Sequence, residues 1–227
     1  MKRLQGTYVR RGDSDRRRTR IKRCLLGAGL FGAALGLWDS RNLQDAYAQS
    51  SLGVNDELAR TRAELESARG SLDLANAQLQ RWNRIYNYSS RYRIGADLAA
   101  SIHDIALAEG IEPDLAFRLV RVESEFNERA TSPVGAVGLT QLMLPTARYF
   151  EKGITREGLY DRETNLRVGF RYLRALIREY KGDVKLALLV YNRGPVAVQT
   201  ARNMGMSPSN GYEHAVTKGY SGRGVVD

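Results

Sequence analysis

Residues 113–143 read PDLAFRLVRVESEFNERATSPVGAVGLTQLM, and this stretch decides the fold. Its first half has a helical pattern, because proline suits the first position of a helix and the polar side chains recur at steps of four and three residues. We predict a helix that begins at Pro113 and ends at about Phe126. Its solvent-facing side carries Asp114, Arg118, Arg121 and Glu125.

Glu123 lies on the apolar face of this predicted helix. Ala116, Leu119 and Val120 precede it by seven, four and three residues, so a carboxylate is unexpected there. Burial disfavours the charged form and should raise the pKa of Glu123, as a general acid at neutral pH requires. The alternative is a buried structural glutamate that is satisfied by backbone donors or by an arginine.

Three blocks of sequence occur in the same order as the matching motifs of a known protein family. The first runs from Glu123-Ser124 through Phe126, Ala130, Ser132, Gly135-Ala136, Gly138-Leu139 and Gln141-Leu142-Met143. The second is Asn165-Leu-Arg-Val-Gly169 with Tyr172-Leu173, and the third is Tyr191-Asn-Arg-Gly-Pro195. Together they resemble the family 1 lytic transglycosylases, which carry the soluble lytic transglycosylase (SLT) domain, over about residues 92–218. Three places depart from the pattern, namely Arg193, the order Leu144-Pro145, and the closing stretch Gly211–Val216.

The resemblance implies a role for each matching residue. Glu123 matches the single catalytic acid and base. Ser132, Gln141 and Met143 match positions that line the sugar cleft. Tyr191 matches a tyrosine that hydrogen-bonds near the catalytic carboxylate, and Asn192 matches its structural neighbour, so we predict that all five bind substrate. Ordinary core packing is the alternative for Met143 and Tyr191.

The resemblance also implies a reaction. A lytic transglycosylase cleaves the β-1,4 bond between N-acetylmuramic acid and N-acetylglucosamine in peptidoglycan and leaves a 1,6-anhydromuramyl end. Most glycosidases use two carboxylates. None of Glu125, Glu128 and Glu163 is a clear candidate for the second one, and a single carboxylate fits substrate assistance. One alternative is a goose-type muramidase that hydrolyses the same bond with the same glutamate. Another is a non-catalytic envelope scaffold that only binds glycan.

The sequence around the deciding stretch is helical throughout. Apolar residues recur at helical spacing over residues 96–109 and 165–180, and Asp183 suits the cap of a further helix through Val190. No convincing alternating strand follows Tyr92. We therefore predict an all-α, lysozyme-like domain over residues 92–218 and a flexible tail over residues 219–227.

Residues 51–90 carry a heptad pattern. Leucine recurs every seven residues, and a second series is offset from it by three residues, which is typical of the core of a coiled coil. We interpret this region as a self-associating stalk, with a single helix packed on the following domain as the alternative. The two series are Leu58, Leu65, Leu72, Leu79 and Tyr86, and Val54, Thr61, Ala68, Ala75 and Trp82.

The beginning of the chain has the pattern of an export signal or a membrane anchor. Residues 1–23 hold ten Lys or Arg against two Asp, a net charge of +8, and residues 24–38 are uncharged and apolar. Fifteen apolar residues are short for a full span, and Ala46-Tyr47-Ala48 offers a cleavage site, so a cleaved signal and an anchor both remain open. Either one places the rest of the chain in the periplasm or on the outer side of the inner membrane.

Composition excludes several other classes of function. The net charge of +10 suggests nucleic-acid binding, but residues 24–227 carry only +2, so we predict no nucleic-acid partner. Cys24 is the only cysteine, and the two histidines are far apart in sequence, so we predict no zinc site and no other cofactor. The predicted partners are peptidoglycan strands, the membrane through the N-terminal segment and, through the coiled coil, a second copy of the chain or another protein of the cell envelope.

Overall fold

A computed structural model describes residues 40–226, and these residues form an all-α structure, as the sequence predicted. Their contacts divide the chain into two compact units at the Asp73–Leu74 boundary. The basic segment 1–23 and the apolar run 24–38 lie outside the described residues. Within residues 40–226, no helix is both long enough and apolar enough to cross a membrane.

The described helices follow one another in chain order, with one 3₁₀ turn among them at Gly158–Tyr160. They are α1 (Ser40–Tyr92), α2 (Ala96–Ala108), α3 (Pro113–Ser124), α4 (Leu144–Phe150), α5 (Arg162–Glu179), α6 (Val184–Arg193), α7 (Pro195–Asn203) and α8 (Tyr212–Thr217).

In the first unit, the described part is the helical segment 40–73. Its heptad leucines are open to solvent: Leu58, Leu65 and Leu72 have exposed fractions of 45%, 50% and 60%. An apolar stripe of this length is unusual on a helix that lacks a partner.

In the second unit, the end of α1 packs against the helical core through a different face. Ile85 is buried, and the ring of Tyr88 stacks on Phe117 at 4.1 Å between centroids. The heptad residues Trp82 and Tyr86 remain 55% and 70% exposed. Within residues 74–92, α1 therefore packs on this domain through residues outside the two heptad series.

Helix α3 lies at the centre of the second unit. It packs on α2 and α8, while α2 also contacts α5, α5 contacts α6, and α6 contacts α8, so these helices close around it. Its core-facing side chains Leu115, Phe117 and Leu119 have no exposed surface. Burying each such side chain contributes about 1.5–3 kcal/mol.

Local signals define the ends of these helices. Pro113 begins α3, and Asp183 caps α6 by accepting a hydrogen bond from the backbone N–H of Leu186, as predicted. Helix α3 ends at Ser124 instead of about Phe126, because Glu125 and Phe126 take the left-handed conformation with φ of 51° and 65°.

The segment expected to be a flexible tail is attached to the domain over residues 219–226. The Tyr220 hydroxyl donates to the Glu112 carboxylate at 2.5 Å, and the backbone N–H of Glu112 donates to the Gly224 carbonyl at 3.0 Å. Val225 also forms an isolated antiparallel bridge with Ile111. These bonds fix the segment beside the first turn of α3.

Candidate active site

Glu123 is the next-to-last residue of α3 and is only partly exposed. Burial raises the pKa of its carboxyl group to about 7, and a hydrogen bond from the Tyr212 hydroxyl acts in the opposite direction. The raised pKa that the helix pattern predicted is therefore found. A carboxyl group in this state can donate a proton at neutral pH and can accept one afterwards.

Ser124, the partner of Glu123 in the sequence motif, ties the end of α3 to the loop that follows. Its buried hydroxyl lies 2.8 Å from the Leu139 carbonyl and 3.1 Å from the Val120 carbonyl. The hydroxyl thereby couples the position of Glu123 to that of the glycine-rich segment, residues 135–140, in this loop.

Asn165 holds this segment in place from α5. Its side-chain amide donates to the carbonyls of Val137 and Leu159, both at 2.9 Å, and its side-chain oxygen accepts from the Thr140 backbone N–H at 2.9 Å and from the Thr140 hydroxyl at 2.7 Å. Because the residue is buried, loss of these bonds would leave several polar groups unsatisfied.

Two glycines are required by this close packing. A Cβ atom on Gly138, whose φ is +78°, would lie 2.2 Å from the Asn165 side-chain nitrogen. A Cβ atom on Gly169 would lie 2.3 Å from the Thr140 hydroxyl oxygen. The spacing Asn165-x-x-x-Gly169 therefore places two features one turn apart on α5: the hydrogen-bonding side chain of Asn165 and the space at Gly169 that Thr140 fills.

Tyr191 lies on α6 beside the same threonine. Its hydroxyl donates to the Thr140 carbonyl at 2.9 Å, and its ring lies 4.9 Å from that of Tyr172. Burial, and next the charge of Glu123, raise the pKa of Tyr191 well above its usual value. Tyr191 is thus close enough to feel the charge of Glu123, whereas its hydroxyl bonds to Thr140 in the loop between α3 and α4.

The direct partner of Glu123 is Tyr212, which the sequence analysis missed. Burial, followed by the charge of Glu123, raises the pKa of Tyr212 well above its usual value, so its hydroxyl remains a donor. The Asn192 side chain accepts from that of Asn210 at 2.9 Å, and the Asn210 side chain accepts from the Tyr212 backbone N–H at 3.2 Å. Asn192 therefore supports the start of α8, where Tyr212 lies.

The other predicted site residues belong to the loop between α3 and α4. The Ser132 hydroxyl accepts from the Ala136 backbone N–H at 3.0 Å. The Gln141 side chain donates to the carbonyls of Gly138 and Ala130 at 2.9 and 3.2 Å. Met143 is 40% exposed and so is not a core residue.

The remaining carboxylates near this sequence have other environments. Glu128 pairs with Arg162 at 2.6 Å, Glu163 lies 3.9 Å from Arg167, and Glu125 is exposed. Among residues 40–226, no group of three or more His, Cys, Asp or Glu side chains is arranged to hold a metal ion.

Comparison with known proteins identifies the class of domain. Residues 100–210 match the transglycosylase SLT domain family, and this segment lies inside the domain expected at residues 92–218. The chain therefore contains a transglycosylase SLT domain, homologous to those of the soluble lytic transglycosylases. The resemblance drawn from the sequence motifs is confirmed.

Particular relatives match only part of this chain. A soluble lytic murein transglycosylase of Escherichia coli strain K12 is 34% identical over 96 residues, which are 40% of this chain and 15% of that protein. A transglycosylase of Enterobacteria phage PRD1 is 43% identical over 84 residues, which are 37% of this chain and 30% of that protein. The chain thus spans less than a third of the length of either relative.

A solved structure, that of the 70 kDa soluble lytic transglycosylase of Escherichia coli, also matches. Its sequence identity is 26% and its TM-score is 0.47, and the match covers 57% of this chain and 24% of that one.

Proposed function

We propose that this protein is a peptidoglycan lytic transglycosylase with a lysozyme-like catalytic domain, in which Glu123 is the only catalytic acid and base. The observation that carries the proposal is a partly buried carboxyl group with a pKa of about 7, within an SLT domain. Substrate-binding roles for Ser132, Gln141, Met143, Tyr191 and Asn192 belong to the same proposal.

The proposed reaction uses one carboxyl group twice. Protonated Glu123 gives its proton to the glycosidic oxygen between N-acetylmuramic acid and N-acetylglucosamine, and the bond from the muramyl C1 to that oxygen breaks. The N-acetyl group of the muramyl residue stabilises the developing cation, as substrate assistance allows. Deprotonated Glu123 then takes the proton of the C6 hydroxyl, whose oxygen bonds to C1 and closes the 1,6-anhydro ring. No water is consumed.

Tyr212 orients Glu123 in this scheme. A hydroxyl that donates to the carboxylate favours its ionised form and fixes its direction, so the group is ready to act as the base in the second step. Tyr191 maintains the loop beside it by bonding to the Thr140 carbonyl.

Product analysis after digestion in heavy-oxygen water tests the reaction type. We expect 1,6-anhydromuramyl products without incorporated label, because an attached hydroxyl has a large effective concentration compared with free water. Label in most new sugar ends would mean that the protein is a goose-type hydrolase. The absence of any cleavage by the folded protein would favour the glycan-binding scaffold. Glu123→Gln serves as the inactive control.

We place the catalytic domain outside the cytoplasm, in the periplasm or anchored at the inner membrane. The proposal is supported by the +8 charge of residues 1–23 before an apolar run and by the nature of the proposed substrate. A C-terminal reporter that is active only in the periplasm should be active, and fractionation then separates a cleaved signal from an anchor. An inactive reporter with the protein in the cytosol would contradict the proposal.

Self-association through α1 is a further part of the proposal, and a second copy of this chain is the partner that its charges favour. The leucine series occupies heptad position a, so Glu57 and Glu64 occupy position g, and Arg62 and Arg69 occupy position e. In a parallel, in-register pair, Glu57 faces the partner's Arg62, and Glu64 faces the partner's Arg69. An antiparallel pair would place like charges opposite each other.

A further inference from the structure

A basic groove runs along the solvent-facing side of α3, within the second unit. Its volume is about 940 Å³. Three parts of the chain line it, namely the end of α1 with the turn after it, the second half of α3 with its left-handed turn, and α8 with the residue that follows. Glu123 is not among the lining residues, so the groove is distinct from the candidate active site.

Five cationic side chains line this groove, and three of them have no ion-pair partner among the described residues. Arg91 and Arg118 share Asp114, at 3.3 and 2.9 Å. The unpaired cations are Arg93, Arg121 and Lys218, which are all exposed. Glu125 is the only carboxylate in the lining, so the groove keeps a clear excess of positive charge.

Aromatic side chains form part of the same groove. The Tyr92 ring lies 5.2 Å from that of Phe126 and is stacked 5.5 Å from that of the buried Phe117. The lining thus combines fixed apolar surface with cations at its edges. This combination suits a ligand that has both an apolar body and more than one anionic group.

Arg93 occupies a backbone position that normally favours glycine. It follows the last residue of α1 with a φ of 55°, and the N–H of Ile94 donates back to the Ser89 carbonyl at 3.1 Å to close the helix end. A side chain in this conformation costs about 1–2 kcal/mol relative to glycine. The cation is therefore present at a position where backbone stability alone would select against it.

The groove and the candidate active site share their supporting elements. Arg121 and Val122 line the groove directly before Glu123 on α3, and Ala215 lies one turn after Tyr212 on α8. A ligand in the groove would therefore contact α3 directly before Glu123 and α8 one turn after Tyr212.

We propose that this groove binds the carboxylates of the acidic peptide stems that branch from peptidoglycan glycan strands. The inference rests on the proposed function, which supplies a glycan bearing such stems. A membrane surface fits less well, because anionic lipids attract outward clusters of Lys and Arg, whereas these cations line a concave site. A free stem peptide with two or more carboxylates should bind here without the glycan.

Calorimetric titration of the full chain with the tripeptide Ala-γ-Glu-diaminopimelate tests this inference. We expect binding that weakens as salt is added, since the unpaired cations are exposed. Each of Arg93→Gly, Arg121→Gln and Lys218→Gln should weaken binding about two- to fivefold, and the triple variant about tenfold or more. The matched control is Arg84→Gln, an exposed arginine outside the groove, which should bind as the parent does.

Folding and ligand class are controlled separately. Arg93→Gly should not lower the melting temperature, because glycine is favoured at that φ. Equal tripeptide binding by the parent and the triple variant, or equal binding of a tripeptide with amidated carboxylates, would overturn the inference. So would binding to vesicles with anionic lipid but not to the tripeptide. Tripeptide binding is measured without any glycan cleavage, so its outcome is separate from that of the proposed function. Failure of the proposed function would appear as uncleaved glycan.

Discussion

The Glu123 carboxyl group is subject to two opposing influences. Burial raises its pKa, and the hydrogen bond from Tyr212 lowers it, with burial the larger effect. The balance leaves the pKa at about 7, so both protonation states are populated near neutral pH. A residue that serves in turn as acid and as base needs this balance.

Replacement of Tyr212 by phenylalanine should change that balance in a known direction. Loss of the donated hydrogen bond removes the influence that lowers the pKa of Glu123, so its pKa should rise. Because the acid form begins the proposed reaction, the decline of kcat/KM towards high pH should move upward, while the maximal rate falls about tenfold or more. An unchanged pH profile of glycan cleavage would remove Tyr212 from this role. Tyr149→Phe, at an exposed tyrosine, is the control.

The raised pKa of Glu123 also predicts how stability depends on pH. Its folded-state value of about 7 lies above the ordinary 4.5, so its contribution to stability is complete below pH 4.5 and is lost as pH rises through 7. Glu123→Gln avoids the cost of burying a charge. It should raise the free energy of unfolding by about 1–3 kcal/mol at pH 8 and leave it nearly unchanged at pH 4.

Urea unfolding of both proteins at the two pH values measures this difference. The same variant should lose glycan cleavage by about 10²–10⁴-fold, as loss of a general acid does. A variant that is less stable than the parent at pH 8 would show that the carboxylate makes a favourable contact that Gln cannot replace.

At the scale of elements, α5 and the loop between α3 and α4 form one polar and steric unit. Gly169→Ala would place a Cβ atom 2.3 Å from the Thr140 hydroxyl oxygen, so Thr140 or α5 must move. We expect the free energy of unfolding to fall by about 1–3 kcal/mol, as overpacking causes. We also expect the rate of sacculus digestion to fall by more than this loss of stability explains.

Gly70→Ala is the matched control for that substitution. A Cβ atom on Gly70 meets nothing within 4 Å, and alanine is favoured inside a helix by about 0.5–1 kcal/mol. Thermal unfolding and sacculus digestion of both variants check the prediction. Full activity of Gly169→Ala would show that the loop position does not matter for Glu123.

The elements differ in how far sequence alone could predict them. Pro113 and Asp183 act on their own helices, so the beginnings of α3 and α6 could be read locally. Tyr212 could not, because 89 residues separate it from Glu123 and the stretch around it departs from the family pattern. The left-handed turn at Glu125 and Phe126 was missed for a different reason, because neither is a residue type that favours positive φ.

The whole molecule combines the SLT domain with an exposed apolar stripe on α1. If two chains pair in parallel through that stripe, reversal of one charge should oppose association and compensating reversal should restore it. Glu64→Arg should therefore weaken self-association, and Glu64→Arg with Arg69→Glu should recover it. Leu65→Pro should abolish it, because proline breaks the helix.

Analytical ultracentrifugation over a range of protein concentrations measures this effect. Glu66→Arg, at an exposed position outside the e and g series, is the control that should associate normally. A parent chain that stays monomeric at high concentration, or a double reversal that associates no better than the single one, would contradict the parallel pairing.

The contact between residues 220–223 and the start of α3 has a consequence for synthesis. Glu112, directly before α3, accepts from Tyr220 and from the Arg223 backbone N–H across 108 and 111 residues of sequence. A nascent chain lacks these bonds and the Tyr212 hydroxyl until residues 212–223 have left the ribosome. Glu123 thus reaches its final surroundings only after this segment has folded onto the start of α3, and a chain that is cut before Tyr212 should be unable to cleave glycan.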